Sequence, residues 1–374
     1  MQSTFSRTDR SLLGQWWWTV DKWMLAGISG LMFIGILMSF AASPSVAHHL
    51  HLSTFFFAFR HLMYLVPTIL IMLTFSMMSP RQIRRFAVLL FLITFCLIIA
   101  TLFMGSEIKG ARRWVSFAGF SIQPSEFIKP AFAVVVAWML AENKTNPDFP
   151  GRMISMGLFA AVVSVLLLQP DLGMTVLITA IWFGQFFISG LALYWVFLVI
   201  ILGVGGLALA YLFLPHVTRR IDQFMSGSGG DRFSDRYQIT QSLEAFMNGG
   251  FMGQGPGEGT VKKYLPDAHA DFVFAVVGEE FGVIVCLLIL GLFLFVVLRS
   301  ILKLYKEEDL FIVIAGSGLI IGFALQALIN MASTLGIIPT KGMTLPFISY
   351  GGSSMMALAV TVGMILGLTR RRFE

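Results

Sequence analysis

Ten long apolar runs constrain this chain before any single residue does. A helix that crosses a bilayer needs about 20 mostly apolar residues. Such runs lie at 23–42, 57–78, 86–104, 124–141, 152–169, 172–189, 192–214, 272–298, 310–332 and 353–369. Hydrocarbon offers no water to backbone N–H and C=O groups, so each run must pair its own backbone as an α-helix. Composition agrees: 12% of the 374 residues are charged, about half the share of a soluble domain. The first run is too long for the apolar core of a cleavable leader. The expected fold is therefore an all-α polytopic membrane protein of ten transmembrane helices. It forms one domain over 23–369, between an interfacial segment 1–22 and a tail 370–374.

Lys and Arg placement sets the orientation. With the N-terminus inside, the cytoplasmic segments carry fourteen of these cations. The short outer loops carry four: Lys109, Arg112, Arg113 and Lys341. Both termini are then cytoplasmic, and the 56-residue loop 215–270, between the seventh and eighth spans, is extracytoplasmic. The net charge of +6 thus reports topology and gives no reason to expect nucleic acid. Cys96 and Cys286 sit in apolar runs, which supports neither a disulfide framework nor a metal site. His48, His49 and His51 have no acidic or thiol neighbour and read as an exposed cluster rather than a metal site.

Within the long loop, Tyr237–Met247 has helical spacing. Ile239, Leu243 and Phe246 share one stripe, so this helix is expected to lie along the membrane surface. Gly249–Gly259 is glycine-rich, but no strand precedes it and no GK[ST] follows, so it is not a nucleotide loop. It either brings backbone close to a sugar or pyrophosphate, or simply turns.

Polar residues at the edges of the runs carry the functional signal. Glu126 and Lys129 stand three apart on one face at the start of an apolar helix, where charge is functional by default, though a structural pair is the alternative. Lys109, Arg112 and Arg113 interrupt the inside-positive bias and suit either lipid headgroups or an anionic substrate. Asp171, in Gln169-Pro170-Asp171, either caps the sixth helix or joins a site. The loop 336–354, with Lys341, two prolines and several hydroxyls, suggests a broken or re-entrant segment. Asp267, His269 and Asp271 alternate just ahead of a span, and Asp271 is either a helix cap or a general base. One outward-open polar cavity would account for all of them. Cations beside a carboxylate at that face suit a lipid-linked phosphate substrate, with the carboxylate taking a sugar hydroxyl proton and the cations stabilising a pyrophosphate leaving group.

These residues also fall into longer motifs: Lys109-Gly110-Ala111-x-Arg113-Trp114, Gln123-Pro124-Ser125-Glu126-x-x-Lys129, Gln169-Pro170-Asp171-x-Gly173, Leu265-Pro266-Asp267-Ala268-His269-x-Asp271-Phe272, Gly278-Glu279-Glu280-x-Gly282 and Leu345-Pro346-x-Ile348-Ser349-Tyr350-Gly351-Gly352-Ser353-Ser354. In them the chain resembles the SEDS family of cell-wall polymerases, the FtsW/RodA/SpoVE group, from the third span to the end. Pro339-Thr340-Lys341-Gly342-x-Thr344-Leu345-Pro346 is similar to the division branch, FtsW.

The resemblance implies a peptidoglycan glycosyltransferase that polymerises lipid II into β-1,4 glycan, still held on undecaprenyl pyrophosphate, in the bacterial cytoplasmic membrane at the division septum. It implies a class B penicillin-binding transpeptidase and other division proteins as partners. It carries Asp271 over as catalytic base. As substrate-binding residues it marks Lys109, Arg113, Trp114, Gln123, Ser125, Glu126, Lys129, Gln169, Asp171, His269, Lys341 and Ser349. Ala270 and Asp267 depart from the family's usual hydroxyl residue and glutamate. No cofactor or protein metal site is called for, although a pyrophosphate leaving group is compatible with a divalent cation such as Mg or Mn. Two readings compete: a lipid II flippase, and a non-catalytic division scaffold.

Overall fold

A computed structural model of the protein describes residues 11–108, 111–117, 120–190, 235–340 and 342–371, together with 201, 203, 205, 206, 208, 209, 211–213, 217, 218 and 222. The helices are α1 (Leu12–Thr19), α2 (Lys22–His49), α3 (Phe56–Met77), α4 (Pro80–Met104), α5 (Pro124–Thr145), α6 (Gly151–Leu168), α7 (Leu172–Ile188), α8 (Asp235–Gly249), α9 (Val273–Leu304), α10 (Leu310–Thr334) and α11 (Gly352–Leu368). Among the described residues, seven helices are long and apolar enough to cross a membrane: α2, α3, α4, α5, α6, α9 and α10. The apolar helices α7 and α11 are shorter, at 17 residues each. Nine expected runs are thus helical, and the tenth, 192–214, lies mostly outside the described residues.

α5 is the centre of the bundle. It packs against α4, α6, α7, α10 and α11, and 89% of its most apolar stretch is buried, against 28% in α4. Its composition explains the difference. Ala131, Ala133, Ala137 and Ala141 let neighbouring backbones approach, as helix contacts in a membrane require. Helices on the rim can be more apolar because lipid covers them. α4 begins with a capping box in which Ser79 and Gln82 exchange side-chain and backbone bonds ahead of Pro80. α1 carries the tryptophans expected at an interface, yet Trp16 is buried and its indole donates to Ser76 Oγ at 2.9 Å.

The fold departs from the sequence reading in two places. It is not wholly helical: β1 (Ser106–Ile108), β2 (Ala111–Phe117) and β3 (Phe120–Ile122) form an antiparallel sheet in the order β1-β2-β3. Glu107 pairs with Arg112, and Ser116 with Ser121. The connection between α4 and α5 is short and mixed in polarity, and a short strand can satisfy its backbone within its own hairpins. The second departure is α8, whose packing against α9 goes beyond the expected stripe: Ile239 is buried and Phe246 meets the Phe274 ring at 5.7 Å, but the third stripe residue is not covered. Leu243 stays exposed, while Ser242 and Ala245 are fully buried, with Ser242 Oγ donating to the Thr334 carbonyl at 2.6 Å. The buried face was selected for small size, because a side chain on Gly249 would collide with the Gly278 carbonyl.

α9 is broken at Gly282 (φ 75°, ψ −177°), a conformation essentially confined to glycine. The glycine-rich segment fills the gap. Gln254 N–H donates to the Glu279 carbonyl and Gly255 N–H to that of Glu280, both at 2.9 Å. Val283 N–H donates back to the Gly250 carbonyl at 3.0 Å. The loop's close backbone approach is therefore to the protein's own helix. Between α10 and α11 the chain does turn irregularly while buried, as expected: Leu345, Phe347 and Ile348 are fully buried, and a side chain on Gly35 of α2 would strike the Phe347 carbonyl.

Candidate active site

Asp271 sits in the turn leading into α9. The Asp267 carbonyl accepts from Asp271 N–H at 3.0 Å and from Ala270 N–H at 2.9 Å. Phe272 occupies the cap position of α9, so Asp271 does not fill the capping role weighed for it. Its carboxylate faces the Gly342 backbone: a Cβ placed on Gly342 would lie 3.4 Å from Oδ2. His269, two residues back, stacks on Phe57 (4.3 Å between ring centres) and lies 5.3 Å from the Tyr350 ring. Tyr350 N–H donates to the His269 carbonyl at 2.9 Å.

The intramembrane pair is present and buried. Lys129 Nζ lies 2.8 Å from Glu126 Oε2 and donates to Gln326 Oε1 at 2.6 Å. Gln326 Nε2 donates to the Thr344 carbonyl at 3.1 Å and lies 3.3 Å from Ser354 Oγ. One residue earlier, the Met343 carbonyl accepts from Asn330 Nδ2, which also donates to the carbonyl of Asp271. A polar path therefore runs from Glu126 through Lys129, Gln326 and residues 343–344 to Asn330 and Asp271. A cavity of about 10 Å³, on the scale of one water, borders Lys129 and Gln326.

Arg113, on β2, forms a second polar group. It donates to the carbonyls of Pro170 (2.6 Å) and Gln169 (3.4 Å), and its Nε is 3.6 Å from Asp171 Oδ2. Asp171 Oδ1 accepts from Met174 N–H at 3.2 Å, so Asp171 caps α7 and pairs with Arg113 at once. Gln169 Nε2 bonds Thr101 Oγ1. Trp114 is half-buried on the same strand. Gln123 joins β3 to α11: its N–H donates to Ser353 Oγ and its side chain to Ser125 Oγ, each at 3.1 Å. Ser349 Oγ is buried and accepts from Leu345 N–H at 2.8 Å. Lys109 and Lys341 lie outside the described residues.

Three further polar residues, Arg60, Gln326 and Asn330, escaped the sequence reading, and a fourth, Glu279, stood in a motif without an assigned role. Arg60, on α3, lies near Tyr350; burial raises the Tyr350 hydroxyl's pKa, and the Arg60 charge pulls it the other way. Gln326 and Asn330 are amides within an apolar span. Glu279 is fully buried and accepts from Thr260, Val261 and Lys262 N–H at 2.7–2.8 Å, pinning residues 260–262 to α9. Each is a polar group inside an apolar run, which is the signal that was available. Among the described residues no three His, Cys, Asp or Glu side chains gather as metal ligands.

The FtsW/RodA/SpoVE family model, described as "Cell cycle protein", matches residues 22–373. The chain belongs to the FtsW/RodA/SpoVE family. The "Probable peptidoglycan glycosyltransferase FtsW" of Caulobacter vibrioides is 46% identical over 374 residues, covering 98% of this chain and 94% of the relative. Its namesake in Escherichia coli O157:H7 is 34% identical over 353 residues, covering 92% and 85%. These relatives place the chain in the FtsW branch of the family. Two solved structures share the FtsW/RodA/SpoVE fold, each covering 94% of this chain and 97% of its own. One is a chain of a peptidoglycan synthase complex that coordinates polymerization and crosslinking, at TM-score 0.77 and 24% identity. The other is the rod shape determining protein RodA of Thermus thermophilus, at TM-score 0.67 and 23% identity. A multi-pass membrane protein is what the apolar helices and the family both require.

Proposed function

We propose that this protein is a peptidoglycan glycosyltransferase that polymerises lipid II in the bacterial cytoplasmic membrane during division. Asp271 is the general base. It removes the proton from the 4-hydroxyl of an incoming N-acetylglucosamine as that oxygen attacks the anomeric carbon of the growing chain's N-acetylmuramic acid. The bond to undecaprenyl pyrophosphate breaks as the β-1,4 bond forms with inversion, and the pyrophosphate leaves with the electron pair. Arg113, Lys109 and Lys341 supply positive charge on the face where that group departs.

The observation that carries this reading is the placement of Asp271. It is half-buried, does not cap α9, faces a glycine backbone, and is tied by Asn330 to the network that ends in the buried Glu126–Lys129 pair. A carboxylate held in that way is positioned for proton transfer rather than helix capping. The glycosyltransferase name of the FtsW relatives supports the reaction class. The neighbour from a complex coordinating polymerization and crosslinking supports a class B transpeptidase as partner.

The test is glycan polymerisation from labelled lipid II by the purified protein, with and without its cognate transpeptidase, whose own active site is blocked. Polymer from the wild type and none from Asp271→Asn is the expected result. Equal polymer from both removes Asp271 from the chemistry. The break in α9 favours one alternative, a lipid II flippase, since discontinuous helices line transport paths. No polymer from a competent mixture, with lipid II translocation intact, would select it.

A further inference from the structure

A groove of about 830 Å³ runs along one face of α2. Leu37, Phe40, Ala41, Pro44, Ser45 and His48 line it, at the three- and four-residue spacing of a single helical face. Phe55 and Phe281 close its sides. From Leu37 to His48 the helix rises roughly 16 Å at 1.5 Å per residue, about half the ~30 Å hydrocarbon thickness. The deep part is apolar, with Leu37 and Phe55 both more than 40% exposed.

The shallow end is polar. His48, His49 and Lys263 meet there, and His49 Nε2 bonds the Lys263 carbonyl at 2.7 Å. Among the described residues the lining contains no carboxylate. Lys262 also lines the groove, but its ammonium is paired with the buried Glu280 and donates to the Ala41 carbonyl at 3.1 Å. That leaves one uncommitted fixed cation, Lys263, and one imidazole donor, His48, at the mouth, with His49 holding the Lys263 backbone in place.

We propose that this groove binds one anionic phospholipid from the adjoining leaflet, its acyl chains along α2 and its phosphate at His48 and Lys263. Length and polarity both match a lipid of one leaflet, whose chains the open groove would seat in part. The charge decides between sources. A single fixed cation with one imidazole donor balances a phosphodiester of one negative charge, whereas a pyrophosphate would leave excess charge unmatched. The occupant is therefore a bulk phospholipid and not an isoprenoid pyrophosphate, and the site does not depend on which reaction the protein performs. Once bound, the lipid joins α2 to the segment 256–264.

The experiment is thermal unfolding of the full-length purified protein in detergent. It is titrated separately with phosphatidylglycerol, phosphatidylcholine of the same chains, and undecaprenyl pyrophosphate. Phosphatidylglycerol should raise Tm by about 2–4 °C near saturation, and phosphatidylcholine by clearly less. The triple variant His48→Gln/His49→Gln/Lys263→Gln should remove that difference, and its sites are exposed enough to leave folding intact. Ala41→Phe, which fills the groove but spares the mouth, should remove it independently. Equal shifts from the two phospholipids overturn the proposal, as does a phosphatidylglycerol preference that survives in the triple variant. A larger shift from undecaprenyl pyrophosphate, lost in the triple variant, would replace the phospholipid by the isoprenoid carrier.

Discussion

Asn330 clasps Asp271 by its backbone: its Nδ2 lies 2.9 Å from the Asp271 carbonyl and 2.6 Å from that of Met343. One buried amide thus fixes the turn before α9 against the irregular segment between α10 and α11. Asn330→Ala should lower the polymerisation rate about 10–100-fold while leaving Asp271 chemically intact, because small displacements of a catalytic group are costly. Rate against pH, measured for this variant, should keep the shape of the wild-type profile.

Asp271→Asn should lower the rate by at least ~10²-fold, the usual worth of a positioned base. The substitution is nearly isosteric and preserves the turn, so the thermal stability of the variant should stay close to wild type. A variant that unfolds, or that retains its rate, contradicts the assignment.

The Glu126–Lys129 pair makes a stability prediction. Glu126→Gln leaves a buried ammonium facing only Gln326, a loss of roughly 3–5 kcal/mol. The double change Glu126→Gln/Lys129→Met removes the unpaired charge and should recover most of that stability. Unfolding in mild detergent, compared across the three proteins, checks the order.

Asp21 gives a pH dependence at the other end of the bundle. Burial raises its pKa, but the Met24 N–H, Arg299 and Lys303 outweigh burial and hold it below the ordinary 3.8. A depressed carboxyl contributes stability above its unfolded pKa and loses it as pH falls through the folded value. Acid unfolding should therefore show a component that begins only below about pH 4, and Asp21→Asn should flatten that component.

Long apolar runs and the charge pair were legible in the sequence because each rests on a local rule: a run must be helical, and two charges three apart share a face. The strands around Arg112 and Arg113 were not. Their alternation is short, and it stabilises only through pairing with the flanking residues of the same loop. α8 was legible as a helix, and Ile239 and Phe246 of its apolar stripe do pack inward, but Leu243 is exposed while Ser242, Ala245 and Gly249 are buried, since small residues serve close approach and a hydrophobic stripe does not register that. Gln326 and Asn330 were hidden by their apolar surroundings. Their partners, the Lys129 ammonium and Ser354 hydroxyl for Gln326 and the Asp271 and Met343 carbonyls for Asn330, lie on other segments, which no spacing reveals.

The break at Gly282 divides α9 into two parts with different solvents. Residues 273–280 are all buried in protein, whereas from Val283 onward the helix exposes Ile284, Leu287 and Leu288. The upper part, about 13 Å long, is too short to cross a bilayer alone. It carries Asp271 at its head, while the lower part does the crossing. A span meets a thicker or thinner membrane by tilting, and here a helix break, with its upper side tied to the loop 250–255, lies between the tilting piece and the carboxylate. Polymerisation should therefore be nearly insensitive to acyl-chain length in reconstituted bilayers, a tolerance that an unbroken helix would not confer.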